Sequence, residues 1–333
     1  MWRDELDGRV RVTPMQVKDL NISPSRMWRT MSDGWQPLGF VDLDAWPDNL
    51  RIDVLPPFPV IGLGNSAHPL ARKLDGVVES PISAEVLIRQ ISQAPHAAAV
   101  AVQLLRSLEG LSAQHALTLE SFCYGLLQGS AEHAAWLGSR ASKEQSPVGT
   151  LRVERRDSVL HLVLDRPLAR NAIDRALRDQ LYEAFSLAAL DSELRAVTLR
   201  AVGPAFSVGG DLEEFGSTRD PATAHLIRSR TSPAVALAER AGIFSVHVQG
   251  ACVGAGLEMA AFAGRLTATS GAWFQLPELA MGLIPGAGGC VSVPRRIGRQ
   301  RATLMFLSGR RINAATALRW GLIDAIEDTP LQV

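Results

Sequence analysis

A length of 333 residues suffices for one large domain or two modest ones, and 47% apolar with 20% charged residues is ordinary for a globular protein. Lys+Arg and Asp+Glu both number 34, giving zero formal charge, which argues against a nucleic-acid or anionic-membrane surface as the main partner. Cys123, Cys252 and Cys290 lie far apart, with no CxxC and no paired histidines. They suit a reducing compartment rather than a disulfide framework or a zinc site. The mixed-charge start MWRDELDGRV is no secretory signal, and no stretch approaches the roughly 18 to 20 apolar residues of a membrane span. The expectation is a cytoplasmic protein with no metal site and no membrane partner.

Residues 1–50 hold Trp2, Trp28, Trp35 and Trp46 without a clear period. They read as an irregular arm packed against something, or as a tail ordered only in part. Residues 51–145 are expected to form a small helical module. It opens with 54–63 (VLPPFPVIGL), whose three prolines confine any strand to an edge or a short length, and with a second candidate strand at 75–79. Ser83 can cap a helix carrying Val86, Leu87 and Ile91, and Pro95 can open another with Val100, Leu104 and Leu105. Ser112 precedes a third, with Ala116, Leu119, Phe122 and Leu126 at helical spacing. Ser130 opens a short last one ending near Arg140. The polar segment 141–149 (ASKEQSPVG) is the best linker in the chain.

From residue 150 the texture changes. Residues 158–164 (SVLHLVL), 196–202 (AVTLRAV) and 243–248 (IFSVHV) read as strands. Residues 175–190 place Leu177, Leu181, Ala184, Phe185 and Ala188 on one helical face. Alternating strands and helices predict an α/β core over 150–333.

Three segments of this core can carry chemistry. AFSVGGD (205–211) and GACVGAGLE (250–258) each read as strand, small-residue turn, then helix. Such turns offer free amides and the positive end of a helix dipole to an anion; the plainer alternative is a tight connection. The third, LPELAMGLIPGAGG (276–289), sets one acid among apolar neighbours. Glu258 and Glu278 both sit in apolar surroundings, where a carboxyl is either paired or has its pKa raised toward neutrality, as proton transfer requires.

At these residues the chain resembles the enoyl-CoA hydratase/isomerase (crotonase) superfamily over roughly 151–327. VLHLVLDRPLARNAID, AFSVGGDLEEF, VQGACVGAGLEMA, LPELAMGLIPGAGG and RRIGRQRATLMFLSGRRINAATALRWGLID follow one another in the family's order. The resemblance implies a ββα superhelix core and an acyl-CoA substrate. The amides of Gly210 and Ala255 would form an oxyanion hole, and Glu258 and Glu278 would take the acid/base positions. The stretch from Arg166 to Ala172 would lie near the CoA nucleotide, with Arg170 a candidate for its phosphates. No cofactor is implied beyond the coenzyme A of the substrate, and a homotrimer or a pair of trimers is the expected assembly. Two departures stand out: Ala255 replaces a common glycine, and Ala263-Gly264-Arg265 replaces a cysteine-aspartate pair. Having both acids favours a hydratase; isomerase, thioesterase or decarboxylase chemistry and a non-catalytic acyl-CoA-binding role are the alternatives.

Family members usually continue past a GLID-like segment into further helices, whereas here nine residues follow Asp324. The N-terminal module resembles that region, with Glu120 central in its long helix. Either the tail helices have moved in front of the core or the module is an unrelated extension. In the first case it should help close the acyl pocket and mediate subunit contacts. The pocket's outer wall is expected from residues 212–240 and this module.

Overall fold

Serine hydroxyls open three of the four helices in the N-terminal half, as their spacing predicts. The computed structural model describes residues 16–22, 36–47, 49, 52, 54–141 and 146–328. The Oγ atoms of Ser83, Ser112 and Ser130 accept from the amides of Val86, His115 and His133. The helices are α1 (Ala84–Gln93), α2 (Pro95–Ser107, with proline in its first turn), α3 (Ala113–Gln128) and α4 (Ala131–Ser139). These caps satisfy amides that a helix start would otherwise leave bare.

Ahead of them, β1 (Gly39–Asp42), β2 (Val60–Leu63) and β3 (Gly76–Val77) form a parallel sheet in the order β1-β2-β3. This corrects one expectation, since a strand lies inside the stretch read as an irregular arm. β2 is the middle strand and, at four residues, a short one. The three prolines all precede β2, so none removes a ladder donor. The segment Gly39-Phe40-Val41 is buried on both faces and shows no alternation, which is why it gave no strand signal. Trp46 is buried in the cluster beneath this sheet; Trp2, Trp28 and Trp35 lie outside the described residues, as do 142–145 of the linker. Asp75 ties the sheet to the helices, accepting from Arg106 Nε at 2.7 Å and from Val60 N at 2.8 Å.

The core begins with an antiparallel hairpin, β4 (Thr150–Arg156) and β5 (Val159–Asp165), followed by α5 (Arg175–Leu190) and β6 (Ala196–Ala201). The chain continues through α6 (Pro221–Thr231), α7 (Pro233–Glu239), β7 (Phe244–Val248), β8 (Ala251–Val253) and α8 (Ala255–Ala260). It then runs through β9 (Arg265–Ala268), β10 (Trp273–Gln275), α9 (Gly289–Ser308), β11 (Ile312–Asn313), α10 (Ala314–Trp320) and β12 (Ala325–Ile326). A six-stranded sheet has the order β12-β9-β7-β6-β5-β4, and a smaller one the order β11-β10-β8. Twice the chain leaves the large sheet for the small one and then enters a helix, through β7-β8-α8 and β9-β10-α9. This is a spiral of ββα turns.

The N-terminal helices pack on this spiral. α1, α2 and α3 lie against α9, α3 also meets α6 and α7, and α4 covers the single turn Glu278–Met281. The apolar stripe expected on α3 is partly wrong: Phe122 and Leu126 are exposed, while Ala116, Leu117, Glu120, Ser121 and Gly125 face inward. Polar Glu120 and Ser121 lie on the buried face because they meet partners there, which an apolar count does not register.

Candidate active site

The two glycine turns touch. At Gly209 (φ 93°) a Cβ would lie 3.1 Å from Val253 O and 3.6 Å from Ala255 N, so only glycine permits this approach. The next residue on one turn is Gly210; on the other, Ala255 is the first residue of α8. Neither of their amides donates a hydrogen bond to another described residue, and both line a cavity of about 280 Å³.

Glu258 and Glu278 meet in the same cleft. Glu258 is 2% exposed; its Oε2 accepts from Ala287 N at 2.7 Å and Gly289 N at 2.9 Å. Burial pushes its pKa up to about 7 although these amides favour the anion. Glu278 approaches from the turn after β10, its Oε1 so near Gly254 that a Cβ there would sit 2.8 Å from it. Its Oε2 is buried and has no hydrogen-bond partner among the described residues. Burial, then the charge of Glu258, raises the Glu278 pKa well above the carboxylate range. Both neighbouring carboxyls are thus raised by burial, and Glu258 is the one braced by two amides of the 287–289 loop.

A third acid comes from the N-terminal module. Glu120 Oε1 accepts from Gly288 N at 2.7 Å and its Oε2 from Cys290 N at 2.8 Å. Four successive amides at the start of α9 therefore alternate between Glu258 and Glu120, using the donors that a helix N-terminus leaves free. Burial and the nearby Glu258 raise the Glu120 pKa as well.

One turn after Glu120, Tyr124 packs over Gly286, where a Cβ would fall 2.2 Å from its Cδ2. Arg228 of α6 lies on the Tyr124 ring, 4.7 Å from the centroid. Tyr124, Gln128 and Arg228 line the cavity with the glutamates. The module and residues 212–240 do supply the outer wall, but reading the chain as residues had singled out none of these three. The available signal was position: Tyr124 and Gln128 fall on the helical face of Glu120.

The expected nucleotide-binding residues separate. Arg166 is buried, its Nη1 donating to Asp211 Oδ2 at 2.7 Å and Ala172 O at 3.0 Å, and its Nε to Pro147 O at 2.6 Å. Arg166 thus braces the turn from within through these bonds. Ala172 is buried beside it, whereas Arg170 is exposed, with φ 51°. A larger cavity, about 830 Å³, lies between the N-terminal sheet and α9 and is lined by Arg72, Arg295 and Arg299. It holds neither glutamate turn nor free turn amide, so volume alone does not locate the chemistry. Among the described residues no cluster of histidine, cysteine or acid residues is placed to hold a metal, and no helix is long and apolar enough to cross a membrane.

Two sheets joined by ββα turns, with facing glycine turns and buried acids in the cleft, define a crotonase-type α/β fold. The chain belongs to the enoyl-CoA hydratase/isomerase family, whose pattern matches residues 154–330, more than half of its length. It is 34% identical over 174 residues to a 2,3-dehydroadipyl-CoA hydratase of Escherichia coli, and 36% identical over 182 residues to a mevalonyl-coenzyme A hydratase of Beauveria bassiana. These matches span 52% and 50% of this chain, and 68% and 63% of those relatives. The solved structure of AtuE from Pseudomonas aeruginosa superposes with a TM-score of 0.50 at 30% identity, over 54% of this chain and 71% of that one.

Proposed function

We propose that this protein adds water across the 2,3 double bond of an acyl-CoA thioester. The observation that carries the reading is the unequal setting of Glu258 and Glu278 beside the two unpaired amides. The thioester oxygen would accept from Gly210 N and Ala255 N, which hold the negative charge as the enolate forms. Glu258, ionised to a substantial degree at neutral pH and held by two amides, would take a proton from water as its oxygen bonds to Cβ. Glu278, kept protonated, would give its proton to Cα as the enolate collapses. The proton gained by Glu258 then restores Glu278, and the sum is one water added. The named relatives support this reading: both carry hydratase names.

The test is hydration of crotonyl-CoA, followed by loss of the conjugated thioester absorbance. Glu258→Gln and Glu278→Gln should each lower kcat by about 10² to 10⁴-fold while keeping affinity for a saturated acyl-CoA. Full activity in either variant would remove that residue from the mechanism. Faster conversion of a 3-enoyl-CoA than of crotonyl-CoA by the wild type would replace hydration by isomerisation.

We further propose that α1–α4 are the family's tail helices placed ahead of the core. The support is that α3 brings Glu120 to the start of α9 and Tyr124 to the pocket wall.

A further inference from the structure

The acyl pocket contains a cation that the proposed hydration does not use. Arg228 donates from Nε to Ser121 Oγ at 2.9 Å, from Nη1 to Gln128 Oε1 at 2.7 Å and from Nη2 to Ser121 O at 3.1 Å. All three acceptors are neutral, and no described carboxylate lies within ion-pair distance of the guanidinium. Glu120 acts on it only at longer range. A guanidinium has five N–H donors, so two remain, on a side chain that lines the cavity with Glu258 and Glu278. Its position is fixed from behind, because Ser121 Oγ also bonds His225 Nδ1 at 2.9 Å, and from below by the Tyr124 ring.

Burial disfavours this charge, and a half-buried cation held only by neutral groups is incomplete. A planar carboxylate would complete it, since two parallel N–H donors match its two oxygens. Tyr124 separates Arg228 from the loop that holds Glu258: one part of the ring packs on Gly286, next to Ala287, and the ring face carries the guanidinium. A ligand whose thioester sits at Gly210 and Ala255 would pass along Tyr124 to reach Arg228. The cavity, about 280 Å³, is at the small end for a ligand site, which suits a short acyl group.

Building on the hydratase reading, we propose that Arg228 selects short 2-enoyl thioesters that end in a distal carboxylate. The test compares trans-2-hexenoyl-CoA with the CoA monothioester of trans-2-hexenedioic acid, which differs by that terminal carboxylate. In the wild type kcat/KM should favour the acid by on the order of 10 to 100-fold, as a charge-assisted hydrogen bond allows. Arg228→Met should bring the ratio to near unity, and Arg228→Lys should leave it between the two, because an ammonium lacks the paired donors. Circular dichroism of both variants establishes that they are folded. A wild type that hydrates both substrates without preference, or a ratio untouched by Arg228→Met, overturns the selector and leaves the hydratase standing. If the wild type hydrates neither, the hydratase reading fails and calorimetric binding of the same two thioesters decides the selector. A preference for the acid lost in Arg228→Met then supports it, and equal affinities refute it.

Discussion

Replacing Glu258 with glutamine should make the protein respond differently to pH, in a direction that follows from burial. In the unfolded chain this carboxyl loses its proton near pH 4.3; in the fold, burial keeps it until about pH 7. The folded state therefore holds an extra proton across that window. The stability this contributes is full below about pH 4.3 and is lost as pH rises through about 7. The change from 4.5 to about 7 corresponds to on the order of 3 kcal/mol. The glutamine cannot ionise, and it also frees Glu120 and Glu278 from a neighbouring charge that raises both. Glutamine loses some of the bonding to Ala287 N and Gly289 N, but that loss is nearly the same at every pH and cancels in a comparison. Urea unfolding of both proteins at pH 4.5 and pH 7.5 gives the double difference. The variant should gain roughly 2 to 3 kcal/mol relative to wild type between the two conditions. A difference constant to within about 0.5 kcal/mol would show that Glu258 ionises as freely in the fold as outside it, and the acid/base assignment would lose its physical basis.

Gly289→Ala places a Cβ 2.6 Å from Glu258 Cγ and 2.8 Å from its Oε2. The acid must move, and crotonyl-CoA hydration should fall about 100-fold; a wild-type rate would mean the position of Glu258 is not critical. If α1–α4 are tail helices in a new place, a circular permutant opened at 142–145, with the original ends joined by a flexible linker, should fold and keep activity within about threefold. A permutant folded by circular dichroism yet inactive would show that chain order matters to the site and would count against the relocation.

How much could be read from the residues differs between the two halves. The helix starts were legible because capping is local: Ser83, Ser112, Ser130 and Pro95 act on amides within one turn. The α5 limits matched because its face is plainly apolar against a polar one. Strand β1 was missed since burial on both faces removes alternation, and the buried face of α3 was misjudged since it includes Glu120 and Ser121. In the site, Glu258 and Glu278 showed through their apolar neighbours. Arg166 did not show its true setting, because its partners Pro147, Ala172 and Asp211 are assembled only by the fold. Arg228 gave no signal for the same reason: its three acceptors lie about a hundred residues away, on α3.

The alternation of four amides between Glu258 and Glu120 explains why the N-terminal module belongs to the site. A single carboxylate accepting all four would have to face amides that point in different directions around the first turn of α9. Two acids divide them, so α3 supplies half of the bonds that hold the amides at 287–290. That loop in turn fixes Glu258, whose Oε2 depends on the same amides, and supports Tyr124 above Gly286. Three buried acids close together are costly for stability, and helix α9 offsets part of that cost with its free donors and dipole. The position of the proposed base and the wall that faces the acyl chain are thus set by one contact between module and core. A change in α3 that shifts Glu120 would reach both the proposed chemistry and the proposed selectivity through that contact.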